Sequence, residues 1–179
     1  AAINTNTNVN CKGDATGSAT AAATGGTGTY SYSWNTNPVQ TSATATNLIA
    51  GTYIVTVTDE KGCTDTEQIT ITEPELALTA AINTNTNVNC KGDATGSATA
   101  AATGGTGTYS YSWNTIPVQT SATATNLIAG TYIVTVTDEK GCTDTEQITI
   151  TEPELALTAA INTNTNVNCK GDATGSATA

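Results

Sequence analysis

The sequence predicts an all-β fold of tandem sandwich modules, and three observations carry the prediction. Ile3, Ile82 and Ile161 open identical runs, so the period is 82 − 3 = 79 residues. Apolar and Thr residues alternate with a period of two along Tyr53, Val55 and Val57 against Thr52, Thr56 and Thr58, the pattern of a strand with one dry face. Turn chemistry recurs at short intervals, at Lys12-Gly13-Asp14, Gly25-Gly26-Thr27-Gly28 and Asp59-Glu60-Lys61-Gly62, with no helical pattern between.

The 179 residues are two periods plus 21, and the copies differ only at Asn37 against Ile116. Copies this alike are expected of a stretch from a longer homogeneous array. Glu73-Pro74-Glu75 and Glu152-Pro153-Glu154 read as module boundaries, because Pro cannot donate to a ladder. Residues 1–74 are then a module without its opening residues, 75–153 a complete module, and 154–179 the first strands of a third.

Taken in order, the first strand is seen in full in the second copy, where Leu76, Leu78, Ala80, Ile82, Val88 and Cys90 share one parity. If that strand is continuous, its cysteine faces the core. Gly17 to Thr24 follows as a strand with Ala19, Ala21 and Ala23 inward, small residues that leave room for facing aromatics. Tyr30-Ser31-Tyr32-Ser33-Trp34 places three aromatics on one face. They read as sandwich core, since they are nearly all the large side chains the module owns, with a sugar-stacking platform as the alternative. Asn35 to Val39 is a Pro-containing crossover, and Thr41 to Leu48 is a further strand. Leu48, Gly51 and Tyr53 have the spacing of a tyrosine corner, in which the hydroxyl bonds backbone upstream. Asp59 to Gly62 turns the chain, and Cys63 to Thr72 continues the alternation with Cys63, Ile69 and Ile71 on the core parity.

A module this small, without Phe or Met, has little apolar volume and calls for a covalent staple. Four of the five cysteines, Cys11, Cys63, Cys90 and Cys142, supply one per module, and Cys169 falls in the third copy. Two pairings are open. The favoured one is within a module, Cys11 with Cys63 and Cys90 with Cys142, closing 63 − 11 = 52 residues and worth about 4 kcal/mol on the chain-entropy account. The other is Cys63 with Cys90, across the boundary. Either implies an oxidising setting. Zinc is not expected, with no His and no Cys-x-x-Cys.

The net charge is −10 with no Arg, a surface that repels nucleic acid and anionic lipid, and no apolar run reaches membrane length. An enzyme is not expected: there is no His, and every module would carry the same surface. No cofactor is expected. Glu73 and Glu75 with Asp59 or Asp65 form the one acidic set that could hold Ca²⁺ at a module junction.

The combination Cys11, Gly13-Asp14, Gly17-Ser18-Ala19, Gly25-Gly26-Thr27-Gly28, Tyr30-Ser31-Tyr32-Ser33-Trp34, Asn47 to Tyr53, Val57-Thr58-Asp59, Gly62-Cys63 and Glu73-Pro74 resembles the SprB-type repeat across the whole period. Such repeats occur in tandem in giant cell-surface adhesins of gliding and related Bacteroidetes. The resemblance implies an immunoglobulin-like β-sandwich, secretion, display on the cell surface, a role in adhesion or gliding motility, and no catalytic residues. The partners expected of the chain are neighbouring modules, like chains in a fibre, covalent glycans and surface polysaccharide.

Roughly one residue in four is Thr, far above ordinary usage. Thr56, Thr58, Thr70 and Thr72, with Thr135, Thr137, Thr149 and Thr151 in the second copy, suit a wet strand face. They are also the candidate sites of O-glycosylation, which would sheathe a fibre. No Asn-x-Ser/Thr acceptor is present, so ordinary N-linked glycans are not expected. A second functional reading is a polysaccharide-binding module that uses the Tyr and Trp rings or the Thr-rich faces.

Overall fold

The computed structural model describes all residues, Ala1–Ala179, and contains strands and turns but no helix. The first repeat has six strands: β1 (Ala2–Thr7), β2 (Gly17–Ala22), β3 (Ser31–Trp34), β4 (Thr44–Leu48), β5 (Gly51–Thr58) and β6 (Thr64–Ile71). They make two antiparallel sheets, ordered β1-β2-β4 and β3-β5-β6. The chain changes sheet between β2 and β3, β3 and β4, and β4 and β5, which gives the expected immunoglobulin-like sandwich. The second repeat follows as β7 (Thr79–Thr86), β8 (Gly96–Thr103), β9 (Ser110–Trp113), β10 (Thr123–Leu127), β11 (Gly130–Thr137) and β12 (Thr143–Ile150), with the same sheet orders. Its strands sit one period on, as Gly130 does from Gly51. Two short strands, β13 (Thr163–Thr165) and β14 (Ser176–Thr178), pair beyond it.

Each core is the sum of the inward parities. Ala19, Ala21, Ala45 and Leu48 from one sheet meet Trp34, Val55, Val57 and Ile71 from the other, and Val9 closes one end. Alanines opposite the indole are the small-against-large fit that a core poor in bulk requires. Trp34 is 1% exposed, and its ring N–H donates to the Ser42 carbonyl at 3.0 Å, so the one polar atom of that ring is satisfied. At Gly17 the sheets come too close for any side chain: a Cβ there would lie 2.7 Å from Ile71 Cγ2 and 2.8 Å from the Leu48 carbonyl oxygen. The tyrosine corner is present, with Tyr53 O–H donating to the Ile49 carbonyl at 3.0 Å.

The cysteines depart from expectation. Strand β6 begins at Thr64, so Cys63 stands outside it and is exposed rather than turned into the core. In the first strand of the second repeat the register shifts between Ile82 and Thr84 and the strand stops at Thr86, so parity does not carry through to Cys90, which is also exposed. The expected bond between Cys11 and Cys63 is absent because the two lie at opposite poles of the sandwich. Cys63 adjoins the Asp59 hairpin. Cys11 lies just past Val9, whose N–H donates to the Thr72 carbonyl at the far end of β6. The eight residues of β6 separate those poles by about 26 Å, whereas bonded cysteines need Cα atoms within about 7 Å. Cys90 is bonded neither to Cys142, the other half of the favoured pairing, nor to Cys63.

Candidate functional site: the repeat junction and the hydroxyl face

The bond that forms is between Cys11 of the first repeat and Cys142 of the second, with Cα atoms 5.6 Å apart and a sequence separation of 131. The hairpin pole of the second sandwich therefore abuts the opposite pole of the first. The linker between them is strapped at both ends. Glu73 accepts the Gly13 N–H at 2.7 Å, and the Lys12 ammonium donates to the Glu75 carbonyl at 2.8 Å. On the other side Gly105 N–H donates to the Leu76 carbonyl at 3.0 Å, and Asp144 accepts the Ala80 N–H at 2.8 Å. Leu78 packs on the second core. The exposed Lys12–Glu73 ion pair, at 3.6 Å, adds at most about 1 kcal/mol; the disulfide and the packed linker fix the junction.

Asp138 holds the hairpin that presents Cys142. One carboxylate oxygen accepts the N–H groups of Lys140 and Cys142, each at 2.9 Å, and the other accepts Thr106 N–H at 2.8 Å. Burial pushes this carboxyl up, but the N–H donors of Thr106, Cys142 and Lys140 outweigh it and hold the group below the usual Asp value. Asp59 makes the same contacts with Cys63, Thr27 and Lys61 N–H and is lowered likewise. These contacts explain the paired glycines. Gly105 has φ +64°, and a Cβ on it would lie 2.6 Å from the Asp138 carboxylate.

The outer face of the β3-β5-β6 sheet is a hydroxyl surface. Register places Ser31, Thr58 and Thr64 in one row, Ser33, Thr56 and Thr66 in the next, and Thr52 beside Thr70 in another, with only Ile54 and Gln68 between. The equivalent residues of the second repeat form the same face. Thr56, Thr58, Thr135 and Thr137 are half-buried on the central strands, whereas Thr70 and Thr149 are exposed on edge strands. Thr72 and Thr151 are exposed but lie past the strand ends, where their carbonyls accept Val9 and Val88 N–H.

Other candidate groups are not assembled. Trp34 and Trp113 are buried and offer no ring face to a sugar. A cleft by the tyrosine corner is lined by Asn35, Gln40 and Tyr53, yet its polar groups are spent on backbone: Asn35 on Ile54 N–H, Gln40 on both sides of Thr46, and Tyr53 on Ile49. The acidic set named for calcium does not gather, because Glu73 lies at the opposite pole of β6 from Asp59 and Asp65, and no three acidic or cysteine side chains stand together as ligands.

Residues 3–39 and 82–118 each match the SprB repeat. The resemblance read from the sequence holds at both places, over the opening half of each period rather than the whole of it. No curated protein matches the chain. Among solved structures it is similar to the three N-terminal domains of the bacteriophage RB49 Highly Immunogenic Outer Capsid protein (Hoc), with a TM-score of 0.49 and 20% identity over 83% of this chain and 57% of that one. It is also similar to domains 4–9 of surface layer protein SbsC, with a TM-score of 0.27 and 17% identity over 92% of this chain and 32% of that one. The chain thus spans less than two thirds of either structure.

Proposed function

We propose that this chain is a length of an extracellular or cell-surface fibre, an adhesin stalk whose work is reach and multivalency and not catalysis. The observation that supports it most is the disulfide between consecutive repeats, since a bond from Cys11 to Cys142 joins one sandwich to the next and is stable only where the surroundings are oxidising. A repeated sandwich with a strapped linker transmits pull along its axis and displays the same surface at fixed intervals. The neighbouring repeats are its first partners; like chains and surface polysaccharide are further ones, and nucleic acid and lipid are disfavoured by a charge of −10. The match to the SprB repeat favours the cell surface and a part in adhesion or gliding.

The hydroxyl face favours O-glycosylation as the finish on this fibre, at Thr70, Thr72, Thr149 and Thr151 before the half-buried Thr56, Thr58, Thr135 and Thr137. Antibody against the repeat should label intact cells as strongly as permeabilised ones; label confined to permeabilised cells would overturn the surface reading. Sugar mass on Thr-bearing peptides of native material would support the glycan coat, and bare peptides would remove it while leaving the fibre.

A further inference from the structure

The disulfide occurs once in this chain, but its two ends are positions that every repeat carries. Cys90 stands where Cys11 does, since 90 − 11 = 79, and Cys63 stands where Cys142 does, since 142 − 63 = 79. We infer that in tandem repeats of this sequence each repeat is joined by the same disulfide to the one that follows: Cys90 takes the Cys142-type thiol of a following repeat, and Cys63 takes the Cys11-type thiol of a preceding one.

The surroundings of the free thiols are those of the bonded pair. Asp93 N–H donates to the Cys90 carbonyl at 3.1 Å, as Asp14 does to Cys11. Cys63 N–H donates to Asp59 at 2.8 Å, as Cys142 does to Asp138 at 2.9 Å. Lys91 holds the Glu154 carbonyl as Lys12 holds that of Glu75, so the outgoing linker of the second repeat is already strapped for a successor. What differs is cover. Cys142 is 7% exposed and Cys63 is open to solvent, beside a groove of about 150 Å³ lined by Ala1, Gly25, Tyr30 and Asp65. In the second repeat the matching place is filled by the linker: the Ala77 carbonyl lies against Gly104, the counterpart of Gly25, and Leu78 against Gly105. Ala1 is the counterpart of Ala80, since 80 − 1 = 79, so the first repeat carries no counterpart of Leu76, Ala77 and Leu78, and the cover over Cys142 comes from the residues that open its own repeat together with the Cys11 end of the repeat before it.

Each bond forms when two thiols give up two protons and two electrons to an external disulfide, of a small thiol or an oxidoreductase, which is reduced to two thiols in return. The spacing has a topological consequence. The bond spans 131 residues and the period is 79, so consecutive loops overlap by 131 − 79 = 52 residues. Every peptide bond between the first and the last bonded cysteine of an array then lies inside at least one closed loop, and a single cut there leaves the fibre joined. A bond within a repeat would leave every junction outside a loop.

The test is a chain lengthened by one period, which raises five cysteines to seven, refolded in a glutathione redox buffer, denatured without reduction and alkylated. Two disulfides and three free thiols are expected, and the Cys142→Ser variant should keep one disulfide with four thiols. Three disulfides and one thiol, the count for pairing within repeats or between Cys63-type and Cys90-type neighbours, would overturn the inference, as would a single disulfide with five thiols. Independently of refolding, native multi-repeat material nicked at its junctions should run full-length unreduced and as repeat-length pieces after reduction; repeat-length pieces without reductant would overturn it. Thiol counts do not depend on where the fibre is displayed, so this can fail while the surface reading stands, and the reverse.

Discussion

Asp138 accepts the Thr106 N–H at 2.8 Å across 32 residues of chain, tying the glycine turn after β8 to the hairpin that carries Cys142. The same carboxylate caps the hairpin itself through Lys140 and Cys142, so a single buried charge positions the thiol that crosses the junction.

That role sets a pH dependence. The folded-state value of Asp138 is below that of an unfolded Asp, near 3.9. Its contribution to stability is therefore complete above that pH and is lost as pH falls below it towards the folded value. The melting temperature should drop below about pH 4, and Asp138→Asn should lessen that drop, leaving the share that Asp59 contributes in the first repeat. At neutral pH Asp138→Ala, which strands several N–H donors, should cost about 2 kcal/mol by denaturant titration. A variant as stable as the parent at both pH values would refute the capping role.

Close approach of the sheets makes Gly96 a second sensitive point. A Cβ there would sit 2.7 Å from Ile150 Cγ2 and 2.8 Å from the Leu127 carbonyl oxygen, and the backbone oxygen cannot swing aside. Gly96→Ala should destabilise by about 1–3 kcal/mol as overpacking. Gly92→Ala meets no atom within 4 Å but must hold φ +86°, so its cost is strain alone. Equal, negligible effects on urea midpoints would contradict the packing account for Gly96.

Core and corner should separate cleanly in the same measurement. Trp113 is buried with its ring N–H on Ser121, and truncation to Ala should cost about 3–5 kcal/mol. Tyr132→Phe removes only the exposed bond from the hydroxyl to the Ile128 carbonyl and should cost about 1 kcal/mol. A larger loss at Tyr132 than at Trp113 would mean that the corner, and not the indole, organises the sandwich.

Strand parity was enough to place Val55, Val57, Ile71 and the inward alanines, because a residue on a paired strand has only two directions to face. The Leu48-Gly51-Tyr53 spacing and the Asp59 turn were legible for a similar reason: their chemistry is local. The cysteines were not, because Cys11 and Cys63 lie beyond strand ends, where parity says nothing about which pole of the sandwich a residue occupies. Part of the signal was available. The alternating strand from Cys63 towards Glu73 was legible with its length, but only the structure shows that Glu73 meets Gly13 beside Cys11, and the two together set the thiols too far apart. The hydroxyl face needed pairing register as well, since Ser31 and Ser33 join Thr58 and Thr56 only across strands.

The bond between repeats makes opposite predictions for cysteines that the sequence leaves equivalent. Closing a loop of 131 residues stabilises by up to about 5 kcal/mol on the chain-entropy account. Reductant, Cys11→Ser and Cys142→Ser should therefore each lower the thermal midpoint by the same amount, and reductant should have no further effect on either variant. Each repeat keeps its own cluster of buried side chains, so the β-sheet circular dichroism signal should survive below the transition. Cys63→Ser and Cys90→Ser remove exposed thiols that make no bond in this chain and should leave the midpoint where it was. The measurement is differential scanning calorimetry of the four variants with and without reductant. If Cys63→Ser matched Cys11→Ser, the bond would lie within the first repeat and the two sandwiches would be joined by their linker alone.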